Sequence, residues 1–236
     1  MRRQYWKNWS SSLDRPMEAL VYGHGGAPVL VFPTSRGRFF QWEDFHMIEA
    51  LREPLERGWL QLFCVDGIDN ETFYDFERPV SEILDNQQSY EQYLCQEFLP
   101  ALRQENPSPF LISAGTSFGS YHAAHFGARY PHLVKRVVAM SGDFDVSKYL
   151  DDRYDPPAYF YNPMAYLSGV EPGPYLEALR TVEFRLAVGA HDFCREPSEK
   201  LAQLLHNLEV PCRLEVWDPH WIHDWPTWRV MVRHLL

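Results

Sequence analysis

PFLISAGTSFGSYHAAHFGARYP, residues 109–131, is the stretch of the chain that decides its fold. An apolar, β-prone run opens it, and small and apolar residues at helical spacing follow until Pro131 stops the pattern. Between the two lies GTSFG, residues 115–119. The stretch therefore predicts a strand, a sharp turn and a helix, with Ser117 at the turn.

Ser117 has the setting of a nucleophilic serine. A serine hydroxyl is a weak nucleophile until a turn presents it and a base deprotonates it, and glycine on both sides allows a tight, strained turn. The backbone N–H of Phe118, at the start of the helix, would then face an oxyanion, helped by the positive end of the helix dipole. The alternative is an ordinary strand-to-helix turn in which the serine caps the helix.

The length and composition of the chain allow one large α/β domain. Its 236 residues are 45% hydrophobic and 15% aromatic, which is enough for a sizeable core, so we expect a single domain over residues 1–236. No apolar run approaches the roughly 18 residues that a membrane span requires. The first six residues carry charge without a following apolar region, which predicts no signal peptide and a cytoplasmic protein.

Charge and cysteine usage narrow the expected partners. The formal net charge of -10 disfavours nucleic acid and anionic membranes, whereas neutral or cationic small molecules stay open. The four cysteines have neither C-x-x-C nor zinc-ligand spacing, which is typical of reduced structural thiols. The pairs His122/His125 and His220/His223 have H-x-x-H spacing but no placed acidic third ligand. We therefore expect neither a metal nor a cofactor, and the oligomeric state is not predicted.

Strand and helix patterns alternate along the chain. Two antiparallel strands at a sheet edge are predicted over residues 5–13 and 17–22, joined across residues 14–16. Short apolar runs predict six further strands, over residues 28–32, 60–65, 108–113, 135–140, 183–190 and 213–217. Amphipathic patterns predict helices between them, over residues 39–57, 79–103 and 195–208. This alternation implies a mostly parallel sheet covered by helices on both faces.

A second oxyanion donor is expected after the strand at residues 28–32. The segment PTSRG, residues 33–37, follows that strand directly, and the N–H of Ser35 could face the N–H of Phe118. The segment His24-Gly25-Gly26 resembles a lipase oxyanion motif but precedes the strand, so it predicts a hairpin turn instead.

Acid and base candidates follow the last two strands. Asp192 comes directly after the strand at residues 183–190, and His223 lies in the loop after residues 213–217, so the chain order is serine, acid, histidine. Asp143, after the preceding strand, is the alternative acid. His220 is the alternative base, but His223 alone directly precedes the tryptophan-rich ending DWPTW.

Three motifs, GTSFG at 115–119, VGAHD at 188–192 and HDWPTW at 223–228, together resemble the putative-esterase family of α/β-hydrolases. That family includes esterase D (S-formylglutathione hydrolase), feruloyl esterases and antigen 85 mycolyltransferases. The resemblance covers essentially the whole chain and implies the α/β-hydrolase fold. It also implies roles for five residues: Ser117 as nucleophile, Asp192 as acid, His223 as base, and Ser35 with Phe118 as oxyanion donors. One departure is DPHWI at 218–222, where glycines often precede the histidine.

Residues 144–175 form a long segment that is rich in aromatic residues and proline. It leaves the sheet at the edge where Ser117 is expected, so it either fills the core or borders the active site as an insertion. In the second case Tyr154, Tyr159 and Tyr161 are expected to line a substrate pocket.

The sequence thus predicts a serine carboxylic-ester hydrolase that acts through an acyl-enzyme on small to medium uncharged esters. Two alternatives stay open. The same residues could transfer the acyl group to an alcohol, or the chain could be a non-catalytic binding module that retains the fold.

Overall fold

The computed structural model describes residues 1–151 and 156–236 of the chain. The strands of these residues form one sheet of eight, in the order β1-β2-β4-β3-β5-β6-β7-β8. They are β1 (Arg3–Ser10), β2 (Arg15–Tyr22), β3 (Ala27–Phe32), β4 (Leu60–Val65), β5 (Ile112–Thr116), β6 (Arg136–Met140), β7 (Glu183–Gly189) and β8 (Cys212–Trp217). β2 runs antiparallel to β1 and to β4, and all other neighbouring strands are parallel.

Helices connect the parallel strands. Over the described residues they are α1 (Gln41–Asp44), α2 (Met47–Ala50), α3 (Arg52–Glu56), α4 (Val80–Tyr93), α5 (Leu99–Glu105), α6 (Phe118–Arg129), α7 (Pro156–Tyr159), α8 (Pro163–Ser168), α9 (Pro174–Leu179), α10 (Arg195–Asn207) and α11 (Trp225–Leu235). Two 3₁₀ turns, Asp69–Glu71 and Ser147–Tyr149, lie in the loops. None of the helices in the described ranges combines the length and apolar character needed to cross a bilayer.

The predicted α/β arrangement is confirmed. One hydrophobic core packs α4, α5, α6 and α10 against one face of the sheet, and a second packs α1, α2, α3 and α11 against the other. The central strands β3, β4 and β5 are buried almost throughout. Since β3 to β8 are parallel, their carboxyl ends meet at one edge of the sheet, where side chains that follow them can come together.

The two turns predicted near the start of the chain differ from the structure. The β1–β2 turn lies at residues 11–14, earlier than predicted, because Asp14 adopts a left-handed conformation (φ 49°) and Ser10 Oγ accepts the Leu13 N–H at 3.2 Å. The turn at residues 23–26 is not a hairpin, so that prediction was wrong. It joins β2 to β3 across β4, which lies between them.

The two long predicted helices are interrupted. Residues 39–57 form three short helices. His46 takes a left-handed conformation (φ 61°) between α1 and α2, and Leu51 (φ -103°, ψ 15°) departs from helical geometry between α2 and α3. The predicted helix at 79–103 stays helical from α4 to α5 through a π turn, Leu94–Phe98. Pro100 follows that turn and has no N–H to donate, so a local change in hydrogen-bond register is expected there.

Candidate active site

Ser117 lies at the turn between β5 and α6 in a strained backbone conformation. Its φ of 55° and ψ of -126° fall in a region that residues with a side chain rarely adopt. The turn is compact: a methyl group at Gly119 would lie 2.6 Å from the Phe32 carbonyl oxygen, and one at Gly115 would overlap the Gly119 backbone. Glycine on both sides of Ser117 is therefore a steric requirement of this turn.

A chain of hydrogen bonds joins Ser117, His223 and Asp192. The Nε2 atom of His223 lies 2.9 Å from Ser117 Oγ, and its Nδ1 atom lies 3.0 and 3.1 Å from the two carboxylate oxygens of Asp192. Ser117 follows β5, Asp192 follows β7 and His223 follows β8. The structure thus brings His223 next to Ser117, 106 residues away in sequence, and next to Asp192, 31 residues away.

The Asp192 carboxylate is fully buried and supplied with donors. Its Oδ1 accepts the Cys194 N–H at 2.8 Å. Burial alone would raise the pKa of Asp192, but the hydrogen bonds from His223, Ser141 and Cys194 outweigh it and hold the pKa below the ordinary aspartate value. Asp192 is therefore an ionised acceptor that faces the imidazole.

Aromatic rings hold His223 on two sides. The Phe193 ring lies 4.2 Å from the imidazole, centroid to centroid, and the Trp228 indole packs against it nearly perpendicularly at 4.9 Å. The loop that carries His223 also presses on the end of β7, since a methyl group at Gly189 would overlap the Trp221 carbonyl. Only 18% of the His223 side chain is exposed, so its ring has little freedom to leave Ser117.

The residues predicted as oxyanion donors lie on two adjoining segments. Phe118 is the first residue of α6, and Ser35 is in the loop after β3, which contacts Gly119 through Pro33. Among the described residues, neither the Phe118 N–H nor the Ser35 N–H has a hydrogen-bond acceptor. Both N–H groups are therefore free to bind an oxygen of another molecule.

The alternative acid and base are held elsewhere. The Asp143 carboxylate accepts a hydrogen bond from Lys148 Nζ at 2.8 Å and does not contact His223. The side chain of His220 is 81% exposed and pairs with Asp218 at 3.0 Å. The structure thus pairs Asp192 with His223 and leaves both alternatives out of the chain to Ser117.

The two buried histidines of α6 each face a carboxylate. His122 Nε2 lies 2.9 Å from Asp69 Oδ1, and His125 Nε2 lies 2.6 Å from Glu91 Oε1. A group of metal-binding side chain types in the described ranges, Asp192, Cys194 and His223, coincides with the site itself. Burial raises the pKa of the Cys194 thiol, which disfavours the thiolate that a metal would require.

Two of the three tyrosines predicted to line a substrate pocket, Tyr159 and Tyr161, lie in the described part of the chain. Tyr154 is outside the described residues. The Tyr159 hydroxyl donates to the Tyr166 carbonyl at 3.3 Å, and the Tyr161 carbonyl accepts the Tyr121 hydroxyl at 2.7 Å. Among the described residues, Tyr159 and Tyr161 make no hydrogen bond to Ser117 or His223. The Tyr159 ring packs on Phe160, whereas the Tyr161 ring packs on His125 and belongs to the apolar cluster that contains Phe118.

Two other aromatic side chains surround the Ser35–Phe118 end of the site, and one of them, Tyr149, belongs to the aromatic segment at residues 144–175. The Tyr74 hydroxyl lies 2.7 Å from Ser35 Oγ, and the Tyr149 hydroxyl donates to Tyr74 at 3.0 Å. Both rings pack edge-on against Phe118. For Tyr74, the available signal was the density of aromatic residues within residues 66–78.

Several proteins of known structure share the fold of this chain. No protein-family model matches the sequence, and no curated protein matches it. A ferulic acid esterase of known structure is 16% identical, with a TM-score of 0.78 over 99% of this chain and 95% of its own. The S-formylglutathione hydrolase from Agrobacterium tumefaciens is 17% identical (TM-score 0.74, 98% and 92% covered). That from Staphylococcus aureus is 16% identical (TM-score 0.71, 99% and 94% covered).

At these identities the similarity shows the fold, and the predicted α/β-hydrolase fold is confirmed. The three solved structures are also of the kinds of protein that the three sequence motifs resemble.

Proposed function

We propose that this chain is a serine carboxylic-ester hydrolase. The observation that carries the proposal is the continuous hydrogen-bonded chain from Ser117 Oγ through the His223 imidazole to the buried Asp192 carboxylate. A nucleophile, a base within hydrogen-bond reach and a group that orients the base are the three parts that acyl transfer through serine requires. The solved structures that share the fold include a ferulic acid esterase and two S-formylglutathione hydrolases, which supports the same class.

In the proposed acylation step, Ser117 Oγ attacks the ester carbonyl carbon while His223 Nε2 takes the hydroxyl proton. The carbonyl π bond opens and its electron pair moves to the oxygen. When the tetrahedral intermediate collapses, the bond to the alcohol oxygen breaks and His223 returns the proton to that oxygen. Asp192 fixes the imidazole through Nδ1 and stabilises its cation without taking the proton.

In the proposed deacylation step, water replaces the released alcohol. His223 Nε2 removes a proton from the water as its oxygen attacks the acyl carbon, and then donates the proton to Ser117 Oγ as the ester bond to the enzyme breaks. The products are the carboxylic acid and the free serine. If an alcohol attacked in place of water, the same steps would give acyl transfer.

The free N–H groups of Phe118 and Ser35 are the proposed oxyanion hole. Phe118 begins a helix of 12 residues, so the helix dipole adds to the field of its N–H. Donors that are already in place stabilise the charge as it develops, and loss of one such donor typically costs about 10² to 10³ in kcat.

We infer small to medium uncharged esters as substrates. Phe193 and Phe76 expose 75% and 72% of their surface, the first beside His223 and the second stacked on Tyr149. Such rings offer apolar area to an acyl or alkoxy group, while the net charge of -10 disfavours polyanionic substrates. We also infer a single domain over residues 1–236 and a cytoplasmic location.

Labelling with a fluorophosphonate probe, together with hydrolysis of p-nitrophenyl esters of graded acyl length, tests the proposal. The wild-type protein should be labelled at Ser117 and should release p-nitrophenol. Ser117→Ala should lose the label and about 10⁴-fold or more in kcat while it keeps its fold.

The matched control is Ser120→Ala. Ser120 is a buried serine in α6, the helix that directly follows Ser117. Its hydroxyl donates to backbone carbonyls and does not contact His223. It should retain the label. A wild-type protein that is neither labelled nor active on any ester would favour a non-catalytic binding module, and acyl products formed with added alcohols would favour acyl transfer.

A further inference from the structure

The Asp69 carboxylate joins the two segments that carry the proposed oxyanion donors. Its Oδ2 accepts the Arg36 N–H at 3.0 Å, and its Oδ1 lies 2.9 Å from His122 Nε2. Arg36 directly follows Ser35, and His122 lies one helical turn after Phe118 on α6. A single side chain therefore spans the gap between the loop at residues 33–37 and the nucleophile helix.

Burial makes this connection rigid. Asp69 and His122 are 3% and 5% exposed, and a carboxyl group in such a place requires hydrogen-bond partners. The His122 ring is stacked on Phe32 at 5.7 Å and packs edge-on against Phe118 at 5.1 Å. The imidazole is thus enclosed and cannot move without moving the side chain of Phe118.

The turn that begins at Asp69 makes further contacts with the loop at residues 33–37. The Asp69 carbonyl accepts the Tyr74 N–H at 2.9 Å, and the Tyr74 carbonyl accepts Arg36 Nη2, also at 2.9 Å. Ser35 Oγ is within 2.7 Å of the Tyr74 hydroxyl. These contacts hold the peptide at Arg36, which adopts a left-handed conformation (φ 56°) that needs such support.

We propose that Asp69 and His122 are positioning residues that set the distance between the N–H groups of Ser35 and Phe118. Oxyanion donors act only when they lie about 2.7 to 3.1 Å from the place that the oxyanion will occupy, so a small shift of the loop reduces their effect. This inference rests on the proposed function, because it assigns the two N–H groups a common oxyanion.

A second histidine–carboxylate pair on the same helix provides a matched control. His125 follows His122 by three residues, is equally buried and lies 2.6 Å from Glu91. The other oxygen of Glu91 accepts the Tyr130 hydroxyl at 2.8 Å. Among the described residues, neither Glu91 nor His125 hydrogen-bonds to the loop at 33–37. Loss of this pair should therefore lower stability without moving Ser35.

The experiment compares Asp69→Ala and His122→Ala with Glu91→Ala and His125→Ala, well below every melting temperature. The first two should lower kcat about 10- to 100-fold with KM within about threefold, because an oxyanion contact forms only in the transition state. Their affinity for a trifluoromethyl ketone, whose tetrahedral adduct carries the oxyanion, should fall by a similar factor. The control variants should match the loss of melting temperature but keep kcat.

Asp69→Asn provides the conservative rescue. The amide oxygen can still accept the Arg36 N–H, and the amide nitrogen can donate to His122 once the imidazole proton moves to Nδ1. Asp69→Asn should therefore recover most of the kcat that Asp69→Ala loses. Equal kcat losses in the Asp69 and Glu91 variants, or an unchanged kcat in Asp69→Ala, would overturn the inference.

Hydrogen exchange separates this inference from the proposed function. The Arg36 N–H should exchange faster in Asp69→Ala than in the wild type and should not change in Glu91→Ala. Unchanged exchange would overturn the positioning role even in an active protein. Failure of fluorophosphonate labelling in the wild type would instead overturn the proposed function, and the exchange result would still decide whether Asp69 holds the loop.

Discussion

The indole N–H of Trp228 donates a hydrogen bond to Ser141 Oγ at 3.0 Å. The Ser141 hydroxyl helps to lower the pKa of the Asp192 carboxyl, and the same indole packs against the imidazole of His223. One tryptophan therefore supports both partners of Ser117, by direct packing on His223 and through Ser141 on Asp192. The HDWPTW ending of the chain thus contains both His223 and a side chain that orients it.

Replacing Trp228 by phenylalanine should lower kcat, because the hydrogen bond to Ser141 is lost while most of the aromatic packing on His223 is kept. Trp228→Phe keeps an aromatic ring beside His223 but leaves Ser141 without its donor, and a lost hydrogen bond costs about 1 kcal/mol, or about fivefold in rate. Trp225→Phe is the control, because the Trp225 ring stacks on Phe45 at 4.4 Å and packs edge-on against Trp228 at 5.0 Å but makes no hydrogen bond to Asp192 or Ser141. Steady-state kinetics should show kcat reduced in Trp228→Phe alone. Equal kcat values in the two variants would contradict this role.

Ser117→Gly should be more stable than the wild type. Glycine adopts the conformation of residue 117 (φ 55°) without strain, and relief of such strain is worth about 1 to 3 kcal/mol. Ser117→Ala, which keeps the Cβ atom and the strain, is the control and should gain little. Urea denaturation should show a higher midpoint for the glycine variant. A midpoint at or below that of Ser117→Ala would mean that the turn stores no strain.

The stability contributed by Asp192 should depend on pH. Its pKa is lowered in the folded protein by the donors around it, so the unfolded chain binds more protons in the acid range and stability rises with pH there. Relative to Asp192→Asn, the wild type should keep its full advantage above about pH 4, the ordinary carboxyl range, and lose it as the pH falls through the lower folded pKa. Urea midpoints of both proteins between about pH 6 and pH 3 measure this. An advantage that grows on acidification would contradict the sign.

Phe76→Ala should raise KM for aryl esters, whereas Tyr159→Ala should not. The Phe76 ring is 72% exposed and stacks on Tyr149, which packs against Phe118, while the Tyr159 hydroxyl is held at the Tyr166 carbonyl. If an aryl substrate packs on the Phe76 ring, removing that ring should weaken substrate binding by about 1 kcal/mol, which raises KM about fivefold. Kinetics on a phenyl and an ethyl ester of the same acid separate packing from chemistry. The opposite order of KM effects would instead support the substrate pocket predicted at residues 144–175.

Much of the fold followed from patterns that act over short distances. The apolar runs of β3 to β8 and the turn at Ser117 were readable because each depends on residues within one element. The bounds were less accurate for β5, which was predicted at residues 108–113 and is formed by Ile112–Thr116. That Ser117, Asp192 and His223 should meet followed from topology, since side chains that follow parallel strands lie at one edge of the sheet. Their roles stay predictions until they are tested.

The contacts of the buried histidines were not readable in the same way. Asp69 and Glu91 lie 53 and 34 residues from His122 and His125, and no spacing rule links a histidine on α6 to a carboxylate on a distant loop or helix. The H-x-x-H spacing on α6 therefore suggested only a comparison with metal sites. The break at His46 was also unreadable, because a left-handed residue leaves the amphipathic pattern of the segment unchanged.

The passage of the histidine loop over Gly189 has a consequence for how this protein can change over time. Any side chain at residue 189 would overlap the Trp221 carbonyl and push away the loop that ends in His223. A single mutation at residue 189 would therefore separate the His223 imidazole from Ser117, although Ser117, Asp192 and His223 would all still be present in the sequence. Sequences descended from such a mutant would still carry Ser117, Asp192 and His223 in an alignment. Only the replacement of Gly189 would indicate that the proposed activity had been lost.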